Sequence, residues 1–140
     1  MTELVVLDAS VAVKWFRPER GHASARRLRE DYADGTIDLA APTLLPYEVL
    51  NALRYAGGFD ADGLADARTS LDRHGLELAR PAHCGPLFDL AVAHDLTVYD
   101  AAYAGLALER DGTLYTSDET LLDRLEPANV TGGHIATYGP

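Results

Sequence analysis

The chain has 140 residues, is 47% hydrophobic and 24% charged, and carries 22 acidic against 12 basic residues, for a net charge of −10. That composition is too apolar for a disordered chain, and no apolar run approaches the roughly 18 residues a membrane span takes. The acidic surplus disfavours nonspecific coating of nucleic acid, and the single cysteine, Cys84, excludes an internal disulfide framework and a cysteine-based zinc cluster.

Leu4 to Leu7 is a short apolar run, β-branched in its middle, which predicts a strand covered on both faces. After Asp8 and Ala9 the pattern predicts a short helix from Val11 to Phe16, stopped before Pro18. His22 to Tyr32 has apolar residues at helical spacing and ends near Gly35. Ile37 to Ala41 predicts a second strand. Thr43 is placed to cap a helix running to Tyr55, closed by Gly57 and Gly58. Asp62 to Arg73 predicts a helix ended by Gly75, and Leu76 to Ala79 a third strand. Pro86 to His94 and Asp100 to Arg110 read as helices, with Leu96 to Tyr99 leading into the second. Thr113 to Thr116 predicts a fourth strand, Glu119 to Leu125 a helix, and His134 to Thr137 a final strand. Strands alternating with helices predict one α/β domain over residues 1–140, a three-layer α/β/α sandwich around a mainly parallel sheet. The functional crevice of such a sheet lies outside the carboxyl ends of its strands, where the strand order reverses. With one cysteine and no basic leader after Met1, a cytoplasmic location is expected.

Most acids fall on helix faces or in loops, and four stand apart. Asp8 follows the first strand directly, either as a residue ahead of Ser10 as N-cap or as a carboxylate at the sheet edge. On a helical wheel of residues 44–56, Leu45, Val49, Ala52, Leu53 and Ala56 form an apolar arc. Glu48 projects at its edge, with Asn51 one turn along on the same side. Asp100 opens a helix apolar on every face, as a cap or as a carboxylate on a pocket floor. Asp118 follows the fourth strand, where Ser117 or Asp118 can cap the next helix. Each acid alone has an ordinary structural explanation. Together, two follow strands expected to be neighbours and two begin helices packed nearby. Converging carboxylates raise one another's pKa unless a cation sits between them, and an oxygen-only set selects Mg²⁺ or Mn²⁺ over zinc.

The order Asp8-x-Ser10, Pro46-x-Glu48-x-x-Asn51, Tyr99-Asp100-Ala-Ala-Tyr103 and Thr116-x-Asp118 resembles PIN domains, and most closely the VapC-type toxins of toxin–antitoxin pairs. The likeness runs from Leu4 to the last strand. It implies a sheet of order 3-2-1-4-5 and an Mg²⁺- or Mn²⁺-dependent endoribonuclease leaving a 5′-phosphate and a 3′-hydroxyl. It implies an acidic site at Asp8, Glu48, Asp100 and Asp118. Of these, Asp8 and Asp100 would bind metal directly, Glu48 would ligate or orient the attacking water, and Asp118 would act through a water. Ser10 and Thr116 would support that site, with Asn51 further out. A homodimer and an antitoxin chain that blocks the site are also implied.

Eleven of the 12 bases are arginine, and Lys14, Arg17, Arg20, Arg26, Arg27 and Arg29 hold half of them in one stretch. Either this is a solvated helix face or Lys14, Arg17, Arg26 and Arg27 form an RNA-binding rim. Trp15 and Phe16 fit core or dimer contacts, Tyr99 and Tyr103 fit packing beside the site, and Cys84 fits a small buried residue. The five histidines lack metal-ligand spacing. Two rivals stand beside the nuclease. A phosphatase with an aspartyl nucleophile would carry a second aspartate where Ser10 stands. A non-catalytic PIN-like module would bind RNA or protein without cleavage.

Overall fold

A computed structural model describes residues 2–139. Five strands form one parallel sheet: β1 (Glu3–Leu7), β2 (Ile37–Pro42), β3 (Glu77–Ala79), β4 (Thr113–Thr116) and β5 (Gly132–His134), in the order β3-β2-β1-β4-β5. The seven α-helices of the described residues are α1 (Ala9–Ala12), α2 (His22–Ala33), α3 (Leu45–Ala56), α4 (Ala61–His74), α5 (Leu87–Ala93), α6 (Val98–Glu109) and α7 (Glu119–Leu125). Right-handed crossovers put α1–α4 on one face and α5–α7 on the other, giving the expected three-layer α/β/α sandwich. None of these helices is long and apolar enough to cross a membrane.

The strand order reverses at β1. Val5, Val6 and Leu7 pair with Thr113, Leu114 and Tyr115 of β4 on one side, and Val5 and Val6 with Leu39 and Ala40 of β2 on the other. This central strand is buried through Val5, Val6 and Leu7, the reason its sequence is a continuous apolar run. Helix α6 packs on β1, β2 and β4, and residues Ala101–Ala107 are buried all round. It also lies close beneath the 84–87 loop: a Cβ on Gly105 would stand 2.0 Å from the Cys84 carbonyl oxygen. Cys84 is buried, as expected.

Several local expectations are corrected. Asp8, not Ser10, caps α1, with extended backbone and its carboxylate on the Ser10 N–H. The expected helix to Phe16 splits into α1 and a 3₁₀ turn at Val13–Trp15. Thr43 caps nothing. Its N–H donates to the Ala79 carbonyl at 2.9 Å, extending the β2–β3 ladder, and α3 starts from Leu44 with Pro46 in its first turn. Ala52 and Ala56 are exposed, so the buried stripe of α3 is Leu45, Val49 and Leu53. Asp60 and Thr97 cap α4 and α6. The last strand is Gly132–His134, opening on two glycines, and residues 135–137 form a 3₁₀ turn. Glycine is needed there because a Cβ on Gly133 would meet the Tyr115 ring at 2.7 Å.

Candidate active site

All four acids singled out by position lie at the N-terminal ends of helices. Asp8 caps α1, Asp118 caps α7, Asp100 lies in the first turn of α6, and Glu48 in the first turn of α3. A helix N-terminus directs unpaired N–H groups and positive dipole toward such a group. Asp8 and Asp118 follow the adjacent strands β1 and β4, at the point where the strand order reverses.

Asp8 is the most tightly held. Its Oδ1 accepts from Ser10 Oγ at 2.5 Å and Ser10 N at 3.1 Å, and its Oδ2 accepts from Thr116 Oγ1 at 2.5 Å. Each hydroxyl is itself fixed by a backbone donor: Ser117 N to Ser10 Oγ at 2.9 Å, and Asp118 N to Thr116 Oγ1 at 3.0 Å. Burial nevertheless pushes the Asp8 carboxyl up to about 6, with the Asp100 charge adding to it against the pull of the hydroxyls. Holding Asp8 ionised at neutral pH therefore costs the fold on the order of 3 kcal/mol.

Glu48 Oε1 accepts from Tyr103 Oη at 2.7 Å. Burial raises the Glu48 carboxyl, Tyr103 pulls it down, and Asp100 raises it again. Asp100 is raised by burial and by Asp118, and lowered by Thr97 and Arg124. Tyr103 is buried, and its phenol is driven far above its ordinary range by burial and by Glu48, Asp8 and Asp100. Asp100 thus couples to each of the other three acids. Asp118 is exposed and uses Oδ1 to cap Leu121 N at 3.2 Å.

Tyr103 was legible as a neighbour of the site, standing three residues after Asp100 on the same helix face. Its bond to Glu48 was not, and neither were the parts of Ser117, Thr97 and Arg124. Tyr99 is 64% exposed, outside the packing expected of it. Asn51 is exposed and makes no side-chain hydrogen bond among the described residues. The basic stretch is divided. Lys14 is buried with Nζ 3.6 Å from Glu19, Arg17 lies 3.7 Å from the same acid, Arg26 meets His22 and Arg27 meets Asp31.

Among the described residues, no three acid, imidazole or thiol side chains are gathered closely enough to grip one ion as they stand. The acids share an electrostatic field rather than a common ligand point. In kind, the donor set fits a hard divalent cation. It is oxygen only, and Asp8 has hydroxyl partners but no basic one. Asp100 and the second oxygen of Asp118 are outside the hydroxyl clamp, so closure around an ion would fall to them.

Residues 5–126 match the model of the PIN domain family. The chain is 33% identical over 135 residues to Ribonuclease VapC3 of Pyrobaculum aerophilum, covering 92% of this chain and 98% of the relative. Its fold is similar to that of PAE2754 of Pyrobaculum aerophilum, with TM-score 0.68, 21% identity and coverage of 97% and 91% of the two chains. It is also similar to VapBC2 of Rickettsia felis, solved with a promoter DNA fragment, with TM-score 0.63, 14% identity and coverage of 94% and 98%. FitAcB of Neisseria gonorrhoeae gives TM-score 0.59 at 17% identity, covering 95% of this chain and 99% of that one.

Proposed function

The chain belongs to the PIN domain family, and from that premise we propose that it is a divalent-metal-dependent endoribonuclease, the toxin of a toxin–antitoxin pair. One observation carries the chemistry: at the point where the strand order reverses, Asp8 is desolvated by burial, with both oxygens clamped by the Ser10 and Thr116 hydroxyls and no basic partner, and the neighbouring Asp100 raises its carboxyl and that of Glu48 further. Such a field invites a cation. Asp8, Asp100, Glu48 and Asp118 would hold Mg²⁺ or Mn²⁺, which supplies charge neutralisation at a phosphate oxygen and easier ionisation of water.

The chain's own groups do the positioning. Ser10 and Thr116 hold both oxygens of Asp8, so its orientation is set before any ligand arrives. Tyr103 keeps its proton and directs it to Glu48 Oε1, leaving Oε2 to orient the attacking water. The N-termini of the 12-residue helices α3 and α6, joined by the Tyr103–Glu48 bond, add positive potential beside Glu48 and Asp100. Lys14, Arg17, Arg26 and Arg27 are proposed as cations facing the RNA, and Asn51 as a distant support. The antitoxin reading draws on the VapBC2 and FitAcB neighbours and the VapC3 relative, and a homodimer and a cytoplasmic location belong to the same proposal.

Cleavage of single-stranded RNA by the purified protein tests this directly. Activity is expected with Mn²⁺ and not with EDTA, and Asp8→Asn should lose at least 10³-fold of it. Cleavage that survives EDTA, or survives in Asp8→Asn, sinks the proposal. RNA bound with measurable affinity but never cut would favour the non-catalytic module.

A further inference from the structure

A cleft of about 310 Å³ lies beside Asp118, lined by Lys14, Arg20, Ser117, Glu119, His134 and Ala136. Ser117 joins this cleft to the Asp8 clamp. It lies between Thr116 and Asp118, donates its N–H to Ser10 Oγ, and donates its hydroxyl to the Ser10 carbonyl at 3.3 Å. We propose that this cleft holds a phosphate of the RNA backbone adjacent to the one that is cleaved, an inference that rests on the ribonuclease reading.

Lys14 is the strongest pointer. It is the only lysine in the chain and is only 7% exposed. Lysine is almost never buried without a close partner. Its ammonium lies 3.6 Å from Glu19, beyond hydrogen-bond length, and Glu19 is shared with Arg17 at 3.7 Å. The cations around that acid therefore outnumber it. The lysine stem lies against the Gly21 backbone. A Cβ on Gly21, whose φ is +87°, would stand 3.4 Å from Lys14 Cε.

The other walls supply donors. Arg20 is exposed and makes no ion pair among the described residues. His134 Nδ1 accepts the Ala136 N–H at 3.0 Å, which leaves Nε2 to carry the ring proton as a donor. Glu119 is the one acid lining the cleft, set against Lys14 and Arg20. A group with several acceptor oxygens and a negative charge satisfies these donors together, and an RNA strand already engaged at Asp8 presents such groups at every nucleotide.

The test compares two substrates on Arg20→Ala and Lys14→Met. One is a single-stranded RNA oligomer, and the other is bis(p-nitrophenyl) phosphate, a diester with one phosphate. Each variant should bind the oligomer about tenfold more weakly, with a salt slope reduced by about 1. Cleavage of the one-phosphate diester should fall at least tenfold less than cleavage of the oligomer at subsaturating concentration. Arg20 is exposed, so its variant keeps the test open if Lys14→Met does not fold. Unchanged affinity and slope in Arg20→Ala would overturn the cleft, as would an equal loss on both substrates. A wild-type protein that cuts neither substrate would fail the ribonuclease reading itself.

Discussion

Asp8 and Asp31 are both held by hydroxyl donors, and their carboxyls are driven in opposite directions. Asp31, on α2, accepts from Tyr138 Oη at 2.6 Å and Arg27 Nε at 3.1 Å. The Tyr138 hydroxyl, with the Arg27 guanidinium behind it, holds Asp31 below the usual carboxylate range. Asp8 has more donors, two hydroxyls and a backbone N–H, and still rises to about 6. The difference lies in burial and in the sign of the neighbouring charge. At Asp31 the fold supplies a cation. At Asp8 it supplies dipoles and another carboxylate, which leaves a charge to be balanced from outside. A carboxylate completed by the protein is structural, whereas one clamped and left uncompensated is set for a ligand.

The largest expected effect comes from removing the charge that couples the cluster. Asp100→Asn should lower Mn²⁺-dependent RNA cleavage by at least 10³-fold. In EDTA it should raise Tm by about 2–4 °C, because it relieves repulsion at Asp8, Glu48 and Asp118. Activity and stability then move in opposite directions, which calorimetry and a cleavage assay on one preparation can follow. If the variant is less stable than wild type in EDTA, the crowding is not costly, and the contrast with Asp31 fails.

A smaller effect separates the clamp from the charge. Thr116 is fully buried, and valine keeps nearly its shape while removing the hydroxyl that joins Asp8 to the Asp118 N–H. Thr116→Val should cost about 1–3 kcal/mol in denaturant unfolding, since Asp118 N loses its acceptor. Cleavage should fall about 10–100-fold as Asp8 loses one of its fixed orientations. Full activity in this variant would show that Asp8 is placed without the Thr116 hydroxyl, by the Ser10 donors alone.

The sequence carried most of this arrangement, unevenly. The β1 run Leu4–Leu7, the all-apolar α6 and the alternation of elements follow from burial, which side-chain type reports directly. Strand β5 did not, because Gly132 and Gly133 have no pattern of their own. They are chosen by the Tyr115 ring and the Leu125 side chain they lie against. The four acids were legible as acids at the wrong places. What each does locally was not. Asp8 took the cap expected of Ser10, Thr97 took the cap at α6, and Thr43 was recruited by the Ala79 carbonyl. Hydrogen bonds such as Tyr103 to Glu48, 55 residues apart, depend on how helices are placed, and no local pattern encodes that.

The smallest expected effect tests the other side of the comparison. Asp31 has a lowered carboxyl in the folded chain, so the unfolded chain takes up its proton first as pH falls. Its contribution to stability is therefore present above its ordinary value of 3.8 and disappears as pH drops below it, toward the folded value. Tyr138→Phe removes the main donor and should lower Tm at pH 7 by no more than about 4 °C, in keeping with a solvent-screened pair worth under about 1 kcal/mol. The gap between variant and wild type should hold from pH 7 down to about 5 and close on further acidification. RNA cleavage should be untouched, because Asp31 lies outside the acidic field. A gap that instead stays constant on acidification would mean that the Tyr138 hydroxyl stabilises the fold independently of the charge of Asp31.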